Sequence, residues 1–385
     1  MGVRKSLAAE FLHRHRTREE FRRGLANGEV VFHYQPRVDM CTGAVLGAEA
    51  LVRWQQDQNS DRPPAEWLPV IEAEAGLSAE LGRHALASVV TQLARWREKG
   101  LDLLVSVNVS ARHLQMSGFL EDVRHALSRR PDLAPYISLE VPETALVEDA
   151  GRVAQVLASC RSLRLRVALD NFGTGHASLA SLQTLPADVI KLDVGFVLSM
   201  PWEMRAFRMV AGTLQMTQML GMEVVAEGVE TEEHGKRLLQ LGSPLAQGFA
   251  ISPALPPDAF EKWLKTWRAP AAWTKERAVP IMPISHRLLA ALVYHRGQEE
   301  IVFADGGTEF SATKGRKTCC PLQSGEDIRD IPKALHTLDR ELHRLEDAAL
   351  SGYRQGANPL PVNTDEWREY IIAFERMIDD ELSSP

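Results

Sequence analysis

Residues 165–175 read LRVALDNFGTG. Leu165 to Leu169 is a short apolar run with β-branched character, suited to a buried strand. Asp170 and Asn171 follow at its C-terminal end. Gly173-Thr174-Gly175 then forms a glycine-framed loop that can adopt unusual φ/ψ and move on binding. A strand that delivers a carboxylate to its C-terminal end, ahead of a mobile loop, is the unit from which α/β barrel sites are assembled.

The same unit recurs outward in both directions. Between Glu29 and about Ser252, eight apolar β-branched runs alternate with longer helical patterns. They are Val31–Val38, Ala44–Leu51, Leu103–Val109, Ile137–Val141, Leu165–Leu169, Val189–Leu192, Glu223–Ala226 and Ala246–Ile251. Asp39 to Gly43 separates the first two by a hairpin-length link. Later gaps suit crossover helices. Trp67–Lys99 carries apolar residues at three- and four-residue spacing, as does Ala206–Leu220. This pattern predicts a (β/α)8 barrel of about 235 residues with an opening hairpin.

Acidic or amide residues stand at or just past nearly every strand end: Glu49, Asn108, Glu140, Asp170 with Asn171, Asp193, Glu227 and Gln247. Lys191 lies within one run. A single acidic residue after a strand is usually a turn or a helix N-cap. So many in succession would converge on one barrel face and repel one another unless cations compensate. The expectation is a divalent-metal site with oxygen ligands, favouring Mg²⁺ or Mn²⁺ over Zn²⁺.

Composition narrows the classes. The chain has 385 residues, is 45% hydrophobic and 25% charged, and carries a net charge of −7, which excludes a disordered or fibrous chain and argues against sequence-independent nucleic-acid binding. The four cysteines, Cys41, Cys160, Cys319 and Cys320, lack CxxC spacing, so a reduced cytoplasmic setting fits better than a disulfide scaffold. No apolar run is long enough for a membrane span, and the N-terminus lacks a secretory h-region. Gly2 with Ser6 meets the minimal myristoylation pattern, too short a motif to carry that reading.

The ordered strings Glu49-Ala50-Leu51-Val52-Arg53-Trp54, Asn108-Val109-Ser110, Leu139-Glu140-Val141-Pro142-Glu143-Thr144, Asp170-Asn171-Phe172-Gly173-Thr174-Gly175, Lys191-Leu192-Asp193, Ala226-Glu227-Gly228-Val229-Glu230-Thr231 and Ala246-Gln247-Gly248 closely resemble the EAL domain of cyclic di-GMP phosphodiesterases, over about residues 17 to 265. The resemblance implies a barrel with an antiparallel first strand. It implies hydrolysis of cyclic di-GMP to linear pGpG by two Mg²⁺ or Mn²⁺ ions. Glu49, Asn108, Glu140 and a shared Asp170 match the first metal's ligands; Asn171 and Glu227 match the second-metal side. Lys191 matches the residue that holds the attacking water, and Gln247 a polar member of the metal shell. Gln35 and Arg53 match ligand contacts. Glu143 matches the glutamate that steadies the loop from Asp170 to Gly175, a loop that in the family also supports a homodimer.

One departure bears on chemistry. The family usually has a second aspartate where Asn171 stands, so second-metal affinity is expected to fall. That leaves a cyclic di-GMP receptor as the alternative to an enzyme, ahead of a barrel that only binds protein partners. Pro142 and His176 are smaller departures.

The expected organisation is an N-terminal extension (1–16), the barrel (17–267), a linker (268–283) and a mainly helical, mildly acidic C-terminal domain (284–385), a candidate protein-partner or dimerisation module. In it, Glu300–Ala304 and Glu309–Ala312 read as a hairpin, Ile328 to Ala349 as a heptad seam, and Trp367 to Glu381 as a second amphipathic helix. A zinc site from His286, Cys319, Cys320, His336 and His343 is disfavoured, because helical chelating pairs sit three or four residues apart, not seven.

Overall fold

The computed structural model of the chain describes residues 2–57, 60–173, 185–275, 337–342, 344, 369–370, 372–373 and 376–377. Thr174, Gly175, His176, the expected hairpin, most of the heptad seam and the five disfavoured zinc ligands lie outside them. The chain divides into two units. One comprises Met1–Val38, Ala44–Asp193 and Gln247–Arg268; the other comprises Asp39–Gly43, Val194–Ala246 and Ala269–Pro385.

The first unit opens with helix α1 (Gly2–Asn27), then β1 (Val30–Asp39), β2 (Val45–Asp57) and β3 (Ser60–Arg62). Next come α2 (Pro64–Glu72), α3 (Ala75–Glu98), β4 (Leu104–Asn108), α4 (Ala111–Leu114), α5 (Phe119–Leu127), β5 (Ile137–Pro142), α6 (Leu146–Ser162), β6 (Arg166–Phe172) and β7 (Val189–Leu192). The second unit carries α7 (Val194–Ser199), α8 (Met204–Met219), β8 (Glu223–Ala226), α9 (Glu232–Gln240) and β9 (Leu245–Ala246). Helix α10 (Pro257–Thr266) belongs to the first unit and α11 (Ala271–Lys275) to the second.

The strand order is β1-β9-β8-β7-β6-β5-β4-β2-β3, with β1 also paired to β2. Among the described residues this is the expected eight-stranded α/β barrel, with β3 added outside the ring. β1 runs antiparallel to β2, placing Gln35 opposite Glu49. β2, β4, β5, β6 and β7 then pair in parallel. Parallel register sets Asn108 beside Glu140 and Pro142 beside Asp170. Because side chains alternate across a strand, register decides which residues share the inner face.

Three boundaries differ from the sequence reading. β2 continues to Asp57, so Glu49 lies mid-strand; antiparallel partners in β1 and β3 sustain the extra length. The pattern from Trp67 to Lys99 is two helices, because Glu74 takes an extended backbone (φ −117°, ψ 119°) between them. The last run stops as strand at Ala246; from Gly248 the chain turns, and the Gly248 carbonyl accepts from the N–H groups of Ile251 and Ser252 at 3.0 Å each.

α3 buries Leu77, Leu81, Ala85, Val89, Leu93 and Trp96, the stripe its periodicity predicts. α1 crosses the expected boundary at residue 16 as one helix. Its inner half buries Thr17 and Phe21, with the Phe21 ring stacked on Trp67 (centroids 5.8 Å) and edge-on to Trp54 (5.9 Å). Residues 12–16 are all exposed. Within 268–283, α11 is helical and Trp273 is fully buried. The described residues of 337–377 are helical, with Leu342 buried. Among the described residues no helix is long and apolar enough to cross a membrane. Cys41 and Cys160 are free thiols, and burial pushes Cys160 up to about 12.

Candidate active site

Lys191 is the centre of the site. The apolar run of β7 carries it inward, where it is 1% exposed. Its ammonium lies 3.0 Å from Glu49 Oε2, 2.6 Å from Glu140 Oε2 and 3.3 Å from Asp170 Oδ1. Three strands thus contribute three carboxylates to one cation. Burying ions is costly unless they are paired and hydrogen-bonded, and here the pairing leaves negative charge in excess.

Glu49 accepts from Lys191 and from two side-chain amides. Asn108 Nδ2 donates to Oε1 at 2.7 Å, and Gln247 Nε2 donates to Oε2 at 2.7 Å. Burial alone would raise its pKa. The Lys191 charge and the bonds from Asn108, Gln247 and Lys191 outweigh that and hold it at about 2. Gln247 Nε2 also donates to Gln35 Oε1 at 2.9 Å, and Gln35 Nε2 donates to the Ser252 carbonyl at 3.1 Å. This relay fixes the amide that fixes Glu49.

Asp170 is held differently. Burial raises its pKa, Lys191 opposes the rise, and the Glu49 charge adds to it. Oδ1 is buried and accepts no hydrogen bond of good geometry, only the 3.3 Å ion pair. Oδ2 accepts from Asn171 Nδ2 at 2.8 Å. Asn171 adopts φ +55°, a left-handed conformation that asparagine tolerates better than most residues. Gly173 follows at φ +106°, where glycine meets no steric penalty. Its N–H donates at 3.2 Å to Oε2 of the buried Glu143, so the start of the loop is tied to the residue after β5.

The residues fit a hard divalent cation. The donor set is carboxylate and amide oxygen without sulfur or imidazole, its charge is net negative, and one buried Asp170 oxygen lacks a hydrogen bond. Among the described residues the carboxylates surround Lys191 rather than converging as a preformed cluster of three metal ligands.

Not every expected residue joins this network. Arg53 is half-buried, and its guanidinium turns back to the Val52 carbonyl at 2.8 Å. Burial lowers its pKa, while Asp61 and Glu49 oppose that shift. Glu227 belongs to the second unit, half-buried just after β8.

Beside the cluster is a cleft of about 510 Å³ lined by Asn108, Asp170 and Asn171, and by Glu72 and Arg112, which sequence reading did not single out. Glu72 is exposed as a residue, yet protein around its carboxyl desolvates it and raises its pKa. A charged residue on a helix carries no sequence signal of facing a cleft. Arg112 stands four residues past the end of β4, on α4, and as a cation it falls outside the acidic-or-amide pattern that picked out Asn108.

A family model for the EAL domain matches residues 18–254. Cyclic di-GMP phosphodiesterase PdeR of Escherichia coli (strain K12) is 36% identical over 246 residues, 64% of this chain and 37% of that protein. Cyclic di-GMP phosphodiesterase PA2567 of Pseudomonas aeruginosa is 37% identical over 240 residues, 61% of this chain and 40% of that protein. Among solved structures, the PaMucR phosphodiesterase in complex with c-di-GMP superposes with a TM-score of 0.61 at 31% identity, covering 64% of this chain and 99% of that one. The chain therefore spans only 37% and 40% of the length of these curated relatives.

Proposed function

This chain belongs to the EAL domain family, and on that premise we propose that it hydrolyses cyclic di-GMP to linear pGpG. Water adds across one phosphodiester. Its oxygen forms the new P–O bond, the bond to the 3′ oxygen breaks, and that oxygen takes up a proton.

Glu49, Asn108, Glu140 and Asp170 would hold one Mg²⁺ or Mn²⁺, with Asp170 shared toward a second held by Asn171 and Glu227. Bound there, such ions lower the pKa of water and clamp phosphoryl oxygens. The rest is work for side chains. Lys191, a compact point charge, orients the attacking water and offsets charge gathering on the phosphate. Gln247, braced by Gln35, keeps Glu49 ionised and aimed. Arg112 brings a cation to the cleft wall for the phosphodiester, and Arg53 a second by leaving the Val52 carbonyl. A homodimer is part of this reading; in the second unit Trp202 (76% exposed) and Met209 (48%) offer apolar surface for it.

The observation that carries the reading is the single buried ammonium shared by three carboxylates beside a cleft. A second reading, a receptor that binds cyclic di-GMP without cleaving it, is favoured by one feature: the Asn171 amide already satisfies Asp170 Oδ2. The test is a turnover assay with purified protein, cyclic di-GMP, and Mg²⁺ or Mn²⁺ in turn, with products separated by chromatography. Linear pGpG that disappears in Glu49→Ala supports the enzyme. Intact nucleotide with calorimetric binding supports the receptor, and neither turnover nor binding removes both.

A further inference from the structure

In the second unit, the described start of the segment that leaves the barrel is anchored by a tryptophan. Trp273, on α11, is fully buried. Its indole N–H donates to the Glu232 carbonyl in the first turn of α9 at 2.9 Å. The ring lies over Gly235, one turn further on, so closely that a Cβ added there would overlap the indole. Only glycine at 235 leaves room for this tryptophan. Behind it, Ala269 lies against Gly43 of the hairpin turn; a Cβ at Gly43 would sit 3.2 Å from that of Ala269.

The start of α9 is braced from the other side too. Thr231 caps the helix, its hydroxyl accepting from the His234 N–H at 3.3 Å, while His234 Nδ1 accepts from the Thr231 N–H at 3.2 Å. Nδ1 is then the acceptor, so Nε2 carries the proton and donates to the Leu198 carbonyl at the end of α7, at 3.3 Å. At the other end of α7, Val194 presses on Gly228, which holds φ +75° and could not accommodate a Cβ. Gly228 is bonded directly to Glu227, and α7 begins three residues after Lys191.

We propose that Trp273 is a positioning residue: by clamping the first turns of α9 it holds the backbone that carries Glu227, and so ties turnover to the C-terminal segment. The proposal rests on the role given to Glu227 above. The indole donor fixes one backbone carbonyl in the first turn of α9, and the ring packed on Gly235 fixes the next turn. The three braces on α7 and α9 leave the backbone from Glu227 to Glu232 few alternatives.

The test uses the full chain and three variants, Trp273→Ala, Trp273→Phe and Gly235→Ala. Amide hydrogen exchange over residues 227–235 is read alongside kcat and KM at saturating Mn²⁺. Trp273→Ala should speed local exchange about tenfold, the scale of one lost buried hydrogen bond, and lower kcat more than KM rises. Gly235→Ala should reproduce both effects by displacing the indole, and combining it with Trp273→Ala should add little. Trp273→Phe keeps the ring and the fold but loses the N–H, so it should fall between wild type and Trp273→Ala. A lowered melting temperature, with exchange in 227–235 and kcat unchanged in Trp273→Phe and Gly235→Ala, would make the tryptophan mere packing and overturn the proposal. Faster exchange with unchanged kcat would overturn the link to turnover. If wild-type protein does not cleave cyclic di-GMP, whether or not it binds it, the enzymatic reading itself has failed and with it the link to turnover, a result the wild-type arm shows before any variant is compared.

Discussion

At the scale of single residues, Asn171 is the position where sign can be argued. Its amide donates to Asp170 Oδ2 at 2.8 Å, neutralising in part a carboxylate that also has the 3.3 Å ion pair to Lys191 and the Asn171 backbone N–H beside it. An aspartate there would bring a second negative charge to hydrogen-bonding range. Without a cation the two repel; with one, each contributes a Coulomb attraction of about 4 kcal/mol per unit charge at an effective dielectric near 20, before desolvation. Asn171→Asp is therefore expected to lower the melting temperature in chelator and to tighten Mn²⁺ binding at least tenfold, both measurable by calorimetry. Tighter Mn²⁺ binding without the loss in chelator would show that the amide bond contributes nothing. Glu49 gives a pH prediction. Its folded pKa is about 2 against an ordinary 4.5, so it stabilises the fold fully above the unfolded value. That stability is lost as pH falls from about 4.5 through 2. Glu49→Gln should flatten acid unfolding across this window, monitored by circular dichroism in metal-free buffer. The sequence made these residues visible because carboxylates and amides at successive strand ends have no bland common cause. It could not make visible that Gln247 and Asn108 both serve Glu49, since that depends on rotamers chosen after folding.

At the scale of elements, β2 does two jobs. Glu49 faces the site from its middle, while Trp54, five residues on, anchors the aromatic cluster with Phe21 and Trp67. The sequence showed the first job, through the Glu49 motif, and hid the second. Its period-two pattern fades after Leu51, and the partners that extend the strand, β1 and β3, are known only from pairing. The expected extension, residues 1–16, and the first residues of the expected barrel share α1, which passes residue 16 unbroken: Arg16 and Glu20 pair one turn apart at 2.6 Å and nothing there breaks the helix. Phe21→Ala, which empties space between two indoles, should cost about 3–5 kcal/mol, seen as an earlier denaturant midpoint with turnover per folded molecule maintained. The break between α2 and α3 was invisible for a different reason: Ala73 and Glu74 do not forbid a helix, and packing of Trp67 and Ile71 on Phe21 decides the turn.

At the scale of the whole molecule, the barrel was legible because eight runs and their intervals leave one α/β closure that buries all of them. Of the expected site residues, Glu49, Asn108, Glu140, Asp170, Lys191 and Gln247 lie together, and which bonds to which was not legible. A ligand that binds the folded chain and not the unfolded one raises stability by about 2.7 kcal/mol at a hundred times its Kd. Mn²⁺ at such a concentration should raise the melting temperature of wild-type protein, and EDTA should reverse the rise and abolish turnover together. A shift that Glu140→Gln leaves intact would place the ion elsewhere. The helix at the start of the chain adds a mechanical term to this chemistry. Twenty-six residues at 1.5 Å each make a rod about 39 Å long. Its inner end is bolted at Phe21 to the strand that holds Glu49, and residues 12–16, outside the bolt, are exposed, with Arg16 paired to Glu20 of the same helix. A torque on the outer end is not dissipated in a hinge, because an unbroken helix has none. It arrives at Trp54, and through five residues of strand, at the carboxylate.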